Sequence, residues 1–137
     1  MAIPFEFVVD GPPVSAQGSS RGRAAWQARV LAAAAARWPA GEAPCEVPVA
    51  IRITHFYDGT NGRPADVDNI IKPIQDALKG LVYLDDHQVA DTRSRRRDIS
   101  GAFRIRGLAP EVAVALALGR EFLHIQISVP QPDEHLD

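Results

Sequence analysis

The alternation of apolar and polar positions along the chain predicts strands near both ends and in the middle. The pattern is clearest over residues 5–9, 47–57 and 122–129. In the middle stretch, Val49, Ile51, Ile53 and His55 should share one face, because successive strand residues point to opposite sides. Further strands are predicted at residues 81–84, 87–97 and 103–105.

Apolar residues at helical spacing predict three helices between these strands. The first covers about residues 20–38, with Ser20 as its cap. The second covers about residues 69–80, and Pro73 is tolerated there only because it lies in the opening turn. The third follows Pro110.

These elements are interspersed irregularly and without a repeat, which predicts an α+β fold, a single domain with a mixed β-sheet packed by helices. The length of 137 residues fits one domain, which we assign to residues 1–130. Residues 131–137 contain a proline and three acidic residues, and we expect them to form a disordered acidic tail.

Composition excludes several classes of protein. The single cysteine, Cys45, cannot form an internal disulfide, which fits a reducing cytoplasm. No apolar run approaches the roughly 20 residues of a membrane span, and residues 1–10 lack the features of a signal peptide. We therefore expect a cytoplasmic protein without a membrane partner.

Charge alone decides little, because the formal net charge is only −2. Thirteen of the 15 basic residues are arginine, however, and the guanidinium group suits forked contacts with phosphate. Arginine richness has a plain alternative explanation as a solvated surface.

The first candidate for chemistry is the segment Asp66-Val67-Asp68-Asn69. If this segment is extended, Asp66 and Asp68 point to the same side. Lys72 follows one helical turn later and could contact a scissile phosphate or a leaving oxygen. The alternatives are that Asp68 or Asn69 only caps the second helix, and that Lys72 only forms a salt bridge to an aspartate.

A second acidic pair, Asp85-Asp86, follows that helix and can fold back beside Asp66. Neighbouring strand residues face opposite ways, so only one of the pair should join the site. A turn before the next strand is the alternative. A cluster of carboxylates needs a cation, and magnesium prefers oxygen ligands. The histidines are scattered, so a zinc site is not expected.

At these residues the sequence resembles the RusA family of Holliday-junction resolvases. The matching text is "DVDNIIKPIQDAL" followed, after a gap that includes Gly80, by "YLDDHQV". The opening "FVVDGPPVSAQ" and the closing "FLHIQISV" are also similar to that family. The stretch from residue 98 to residue 119 is longer than the simple connection between late strands in that family.

The resemblance implies a role for each matching residue. Asp66, Asp68 and Asp86 match the metal-binding catalytic carboxylates, and Lys72 matches an essential basic residue. We assign supporting roles to Asn69, Asp76 and Asp85, with Asp76 orienting Lys72 from one turn away.

The resemblance also implies an activity and an assembly. Family members are homodimers, typically encoded by phages or prophages, that resolve four-way DNA junctions by paired nicks. The expected cofactor is Mg²⁺, with Mn²⁺ as a substitute. The alternatives are a nuclease of the same fold for flaps or other branched DNA, and a non-catalytic DNA-binding accessory protein of a phage.

Two groups of arginines are predicted to contact DNA. The first group is Arg93, Arg95, Arg96 and Arg97, which lie close in sequence to Asp86. The second is Arg21 and Arg23, which are unfavourable near a helix N-terminus and therefore indicate a role toward phosphate. Alternation along the strand should bring some of the first group to the face of the site. A solvated charge run is the alternative.

Overall fold

The computed structural model describes residues 1–102 and 104–131, in which three helices pack on a four-stranded sheet. The elements in chain order are β1 (Phe5–Asp10), α1 (Ser20–Ala35), β2 (Val49–Tyr57), α2 (Ile71–Leu78), β3 (Val89–Asp98), α3 (Pro110–Leu118) and β4 (Phe122–Ser128). Short 3-10 turns lie at Gly59–Asn61 and Asp86–Gln88. The prediction of an α+β fold is confirmed.

The sheet is mixed, with strand order β1-β4-β2-β3. β4 pairs antiparallel with both β1 and β2, and β2 pairs parallel with β3. The last strand of the chain therefore lies between the first two, and β3 is an edge strand among the described residues.

The two faces of the sheet carry different layers. On the α1/α2 face, Val49, Ile51 and Ile53 of β2 belong to the main core, together with buried residues of both helices. On the α3 face, Phe56 and Phe122 stack with ring centroids 4.6 Å apart beneath α3. The predicted inward face of β2 is confirmed, because His55 is also buried.

Residues 81–84 do not form a strand, so that prediction was wrong. Gly80 has a φ of +93°, a left-handed conformation that side chains other than glycine rarely adopt. The N–H groups of Leu81 and Val82 both donate to the carbonyl of Leu78, and that of Gly80 donates to Tyr83. These local bonds use the backbone groups that a strand would have offered to the sheet.

Some element ends also differ from the prediction. Ser19, not Ser20, caps α1, since its Oγ accepts from the N–H of Gly22 at 3.0 Å. β3 begins at Val89, because the 3-10 turn occupies the preceding residues. Arg104 and Ile105 lie outside any strand, while Phe103 and the predicted tail from residue 132 onward lie outside the described residues.

No helix in residues 1–102 and 104–131 combines the length and the apolar character that a membrane crossing requires.

Candidate active site

Asp66 and Asp68 lie in a hydrogen-bonded turn that joins β2 to α2. The N–H of Asn69 donates to the carbonyl of Asp66 at 3.0 Å, so this segment is not extended and the argument that its aspartates share one side does not apply. The carbonyl of Asn69 accepts from Ala16 at 2.7 Å, which brings the loop before α1 against the turn. We call residues 66–69 the acidic turn. Its two aspartate side chains are exposed.

The acidic turn does not cap α2. The N-cap is Ile70, and no side chain makes a capping hydrogen bond there. The alternative that Asp68 or Asn69 serves only to cap this helix is therefore wrong. Pro73 lies in the first turn of α2, as predicted.

Lys72 forms an ion bridge between two carboxylates. Its Nζ lies 2.9 Å from Asp76 Oδ1 and 3.1 Å from Asp86 Oδ2. The hydrogen bond to Asp76, and then that to Asp86, raise the pKa of Lys72, so the ammonium stays protonated at neutral pH. The predicted contact with Asp76 is thus present. The same contacts also fit the alternative that Lys72 only forms a salt bridge. Half-exposed ion pairs contribute little to stability, however.

Asp85 and Asp86 diverge, as expected for neighbouring residues. Asp85 is exposed, with Oδ1 3.7 Å from Lys79 Nζ. Asp86 faces Lys72, and its other oxygen, Oδ1, is buried without a hydrogen-bond partner among the described residues. Since the 3-10 turn begins at Asp86, the alternative that the pair forms a turn is also partly right. Of the two carboxylates, only Asp86 joins Lys72.

Gln88 fixes this turn, and sequence reasoning passed over it. Its Oε1 accepts from the N–H groups of Leu84 and Asp85, and its Nε2 donates to the carbonyls of Cys45 and Val47. The turn is thereby tied to the segment that leads into β2. A glutamine two residues after an acidic pair gives no signal of this role, because its partners are backbone groups.

The carboxylates do not form a ready-made metal cluster. Within residues 1–102 and 104–131, no three side chains of aspartate, glutamate, histidine or cysteine are grouped closely enough to hold a metal ion. The donor chemistry nevertheless fits Mg²⁺, which takes oxygen ligands and retains several waters. The free, buried Oδ1 of Asp86 is the clearest candidate ligand atom, since an unsatisfied carboxylate oxygen is costly to bury.

Side-chain bonds hold α2 and the acidic turn beside β3. Gln75 Nε2 donates to Thr92 Oγ1 at 3.1 Å, and Ser94 Oγ donates to the carbonyl of Val67 at 2.6 Å. The candidate site therefore lies on the α1/α2 face, next to the edge strand.

Tyr83 anchors the C-terminal half of α2, since its buried hydroxyl donates to the carbonyl of Gln75 at 2.6 Å. Tyr83→Phe should lower the free energy of unfolding by about 1 kcal/mol, because one buried hydrogen bond is removed. Tyr57→Phe is the matched control, since the Tyr57 hydroxyl bonds to no described residue. Equal melting temperatures for the two variants would contradict the anchoring role.

The predicted DNA-binding arginines are divided between the two faces of the sheet. Arg96 lies on the face of the site, with Nη1 3.5 Å from the carbonyl of Ala65. Arg93, Arg95 and Arg97 align with Arg52, Thr54 and Phe56 of β2, on the α3 face. The expectation that alternation brings some of this group to the site is confirmed for Arg96.

Arg21 and Arg23 differ in their surroundings. Arg23 Nη1 donates to the carbonyls of Ala16 and Gly18, so this side chain holds the loop that contacts the acidic turn. Arg21 is exposed. Contact of either arginine with DNA stays a prediction.

A buried contact between a histidine and a glutamate supports the same region and was not foreseen. His55 Nε2 contacts Glu121 Oε2, and His55 is only 1% exposed. Both residues line a cavity of about 460 Å³ with Arg63 and Pro64, which precede the acidic turn. His55 lies on the predicted face of β2 with Ile51 and Ile53, but its partner lies 66 residues away and has no local signal.

Comparison with known proteins identifies the class. A family match described as endodeoxyribonuclease RusA covers residues 18–116, more than half of the chain. It makes this protein an endodeoxyribonuclease, and RusA-family enzymes act on branched DNA junctions. The chain belongs to the RusA family, and the matched range contains the acidic turn, Lys72 and Asp86. No curated protein matches the chain.

Proposed function

We propose that this protein is a Mg²⁺-dependent nuclease that resolves four-way DNA junctions by paired cuts. Its catalytic residues are Asp66, Asp68, Asp86 and Lys72. The observation that carries the proposal is the Lys72–Asp86 contact of 3.1 Å, beside an Asp86 oxygen with no partner among the described residues. One carboxylate thus offers a ligand atom next to a fixed cation, in a chain of a nuclease family.

The residues divide the chemistry between them. Bound Mg²⁺ supplies a Lewis acid for the phosphate and a water of lowered pKa. Asp86, with Asp66 and Asp68 from the acidic turn, would hold it. Lys72 binds a phosphate oxygen or the leaving oxygen as negative charge develops there. Asp76 keeps the Lys72 ammonium in place from one helical turn away.

A nicking assay on three substrates tests this function. Labelled four-way junction, flap and linear duplex of equal arm length are incubated with Mg²⁺, with Mn²⁺ or with EDTA. We expect paired cuts in the junction with either metal and none with EDTA. Preferred cutting of the flap would favour the related flap nuclease, and binding without any cleavage would favour a non-catalytic accessory protein. Either result would overturn junction resolution.

We further propose a homodimer, because resolution needs one cut in each of two strands and one domain of this size holds one such site. A two-fold dimer supplies two sites with the approximate symmetry of the junction. The closing strand β4 and the alanine-rich helix α1 are both candidates for the interface. Since β4 is paired on both sides within the described sheet, α1 is favoured. Light scattering at micromolar concentration, with junction DNA present, should give the dimer mass, and a monomer mass would reject it.

A further inference from the structure

The α3 face of the sheet carries a groove lined by arginines, on the opposite side from the candidate active site. The groove has a volume of about 360 Å³ and lies between β2, β4 and the segment at residues 104–107. Four arginines line it: Arg52, Arg95, Arg104 and Arg106. Arg93 and Arg97 flank Arg95 on the same face of β3. We call this groove, together with the six arginines in and beside it, the arginine groove.

Carboxylates within the described residues do not neutralise this cluster, since none forms a salt bridge with any of the six. Glu6 is paired with His124, and Glu111 with Arg37. Asp91 lines a neighbouring depression with Arg52 and Arg93. The cluster therefore keeps a positive excess, which an anion would stabilise.

The charge environment of Arg95 is consistent with this excess. Burial lowers the pKa of Arg95 below its ordinary value. The positive charges of Arg97, Arg52 and Arg93 act in the same direction. Arg95 Nε donates to Thr54 Oγ1 at 3.0 Å, which holds the side chain against the floor of the groove and leaves its terminal nitrogens without a protein partner among the described residues. A fixed guanidinium fork of this kind suits phosphate oxygens.

The face of the candidate active site has no such excess. It carries five carboxylates: Asp66, Asp68, Asp76, Asp85 and Asp86. It also carries five basic side chains: Arg23, Arg63, Lys72, Lys79 and Arg96. Attraction of a polyanion is therefore weaker on this face than in the arginine groove.

We propose that the arginine groove binds the phosphate backbone of a second duplex arm, so that branched DNA straddles the edge strand β3. This inference rests on the proposed function, because it assumes that one arm occupies the acidic face. β3 separates the two surfaces: Arg96 points to one, and Arg93, Arg95 and Arg97 point to the other. No described strand lies beyond β3.

Strand β3 then selects for branched substrates. Duplex DNA is stiff over about 150 base pairs, so a linear duplex cannot turn around the edge of one sheet. Two arms of a junction already diverge and can reach both faces. A linear duplex should bind only one surface at a time, so the second surface should add little to its affinity.

The test measures binding in EDTA, where cleavage is absent. Fluorescence anisotropy gives the affinity for a four-way junction and for a linear duplex over a range of salt concentrations. The variant combines Arg95→Gln, Arg104→Gln and Arg106→Gln. The control is Arg120→Gln, an exposed arginine outside the groove. Arg104→Gln alone, at an exposed position without a described hydrogen bond, repeats the test should the triple variant fail to fold.

We expect the triple variant to bind the junction about 10-fold or more weakly near 0.1 M salt. Its salt slope should become shallower by about 0.9 for each phosphate that the protein no longer neutralises. The affinity for linear duplex should fall much less, and the control should stay close to the wild type. Unchanged junction binding, an equal loss of affinity for junction and duplex, or a loss of affinity matched by Arg120→Gln would overturn the inference. A protein that binds as expected but never cuts would overturn the proposed function alone.

Discussion

Replacing Asp86 with asparagine should reduce Mg²⁺-dependent cleavage of a junction by about 10²- to 10³-fold, the range typical for the loss of one group that stabilises developing charge. Asparagine has nearly the same size, so the turn held by Gln88 should persist. Removing the negative charge weakens the hold on the metal, and the activation and positioning of the water then fail as well.

DNA binding by Asp86→Asn should survive or become tighter, because less negative charge then faces the phosphates. Asp85→Asn is the matched control: the same charge is removed one residue away, from a side chain that faces Lys79. Cleavage, junction affinity and melting temperature are measured for both variants and for Asp66→Asn. Near-normal cleavage by folded Asp86→Asn would remove this residue from the catalytic assignment.

Replacing Lys72 with glutamine should lower the cleavage rate at saturating DNA by about 10²-fold, because the cation beside the reacting phosphate is removed. Metal affinity should not fall, since the positive charge that competes for Asp86 is removed with it. Lys72→Arg keeps the charge but changes its geometry, and we expect partial activity from it.

A purely structural Lys72 gives a different result. A half-exposed salt bridge contributes at most about 1 kcal/mol, so the variant would lose a little stability and keep its cleavage rate. Asp76→Asn separates the positioning role from the catalytic one. It leaves Lys72 its contact with Asp86, and we expect a smaller loss in kcat than for Lys72→Gln, with little change in KM.

Local patterns were sufficient for most individual elements. The alternation in β2 predicted its buried face, and the helical spacing predicted α2 with Pro73 in its first turn. The strand predicted at residues 81–84 was wrong because apolar character alone does not reveal the tight turn at Gly80. The strand order was not accessible, because β4 pairs with segments more than 60 residues earlier in the chain.

In the candidate site, too, local contacts were predictable from the sequence and long-range contacts were not. The contact of Lys72 with Asp76 follows from a spacing of four residues on one helix. The contact of Lys72 with Asp86 requires the chain to turn back between α2 and β3, which the pattern allowed but did not fix. Alternation along β3 predicted that its arginines would separate, but the faces they occupy depend on the register with β2.

The position of β4 between β1 and β2 has a consequence for how the enzyme is synthesised. The acidic turn, Lys72 and Asp86 all leave the ribosome before residues 122–128, which complete the sheet. Until then β1 has no hydrogen-bonded neighbour in the sheet. A nascent chain that stalls before Phe122 should therefore carry the residues of a nuclease without its folded scaffold. Such a fragment should be a target for proteolysis and should not cleave DNA.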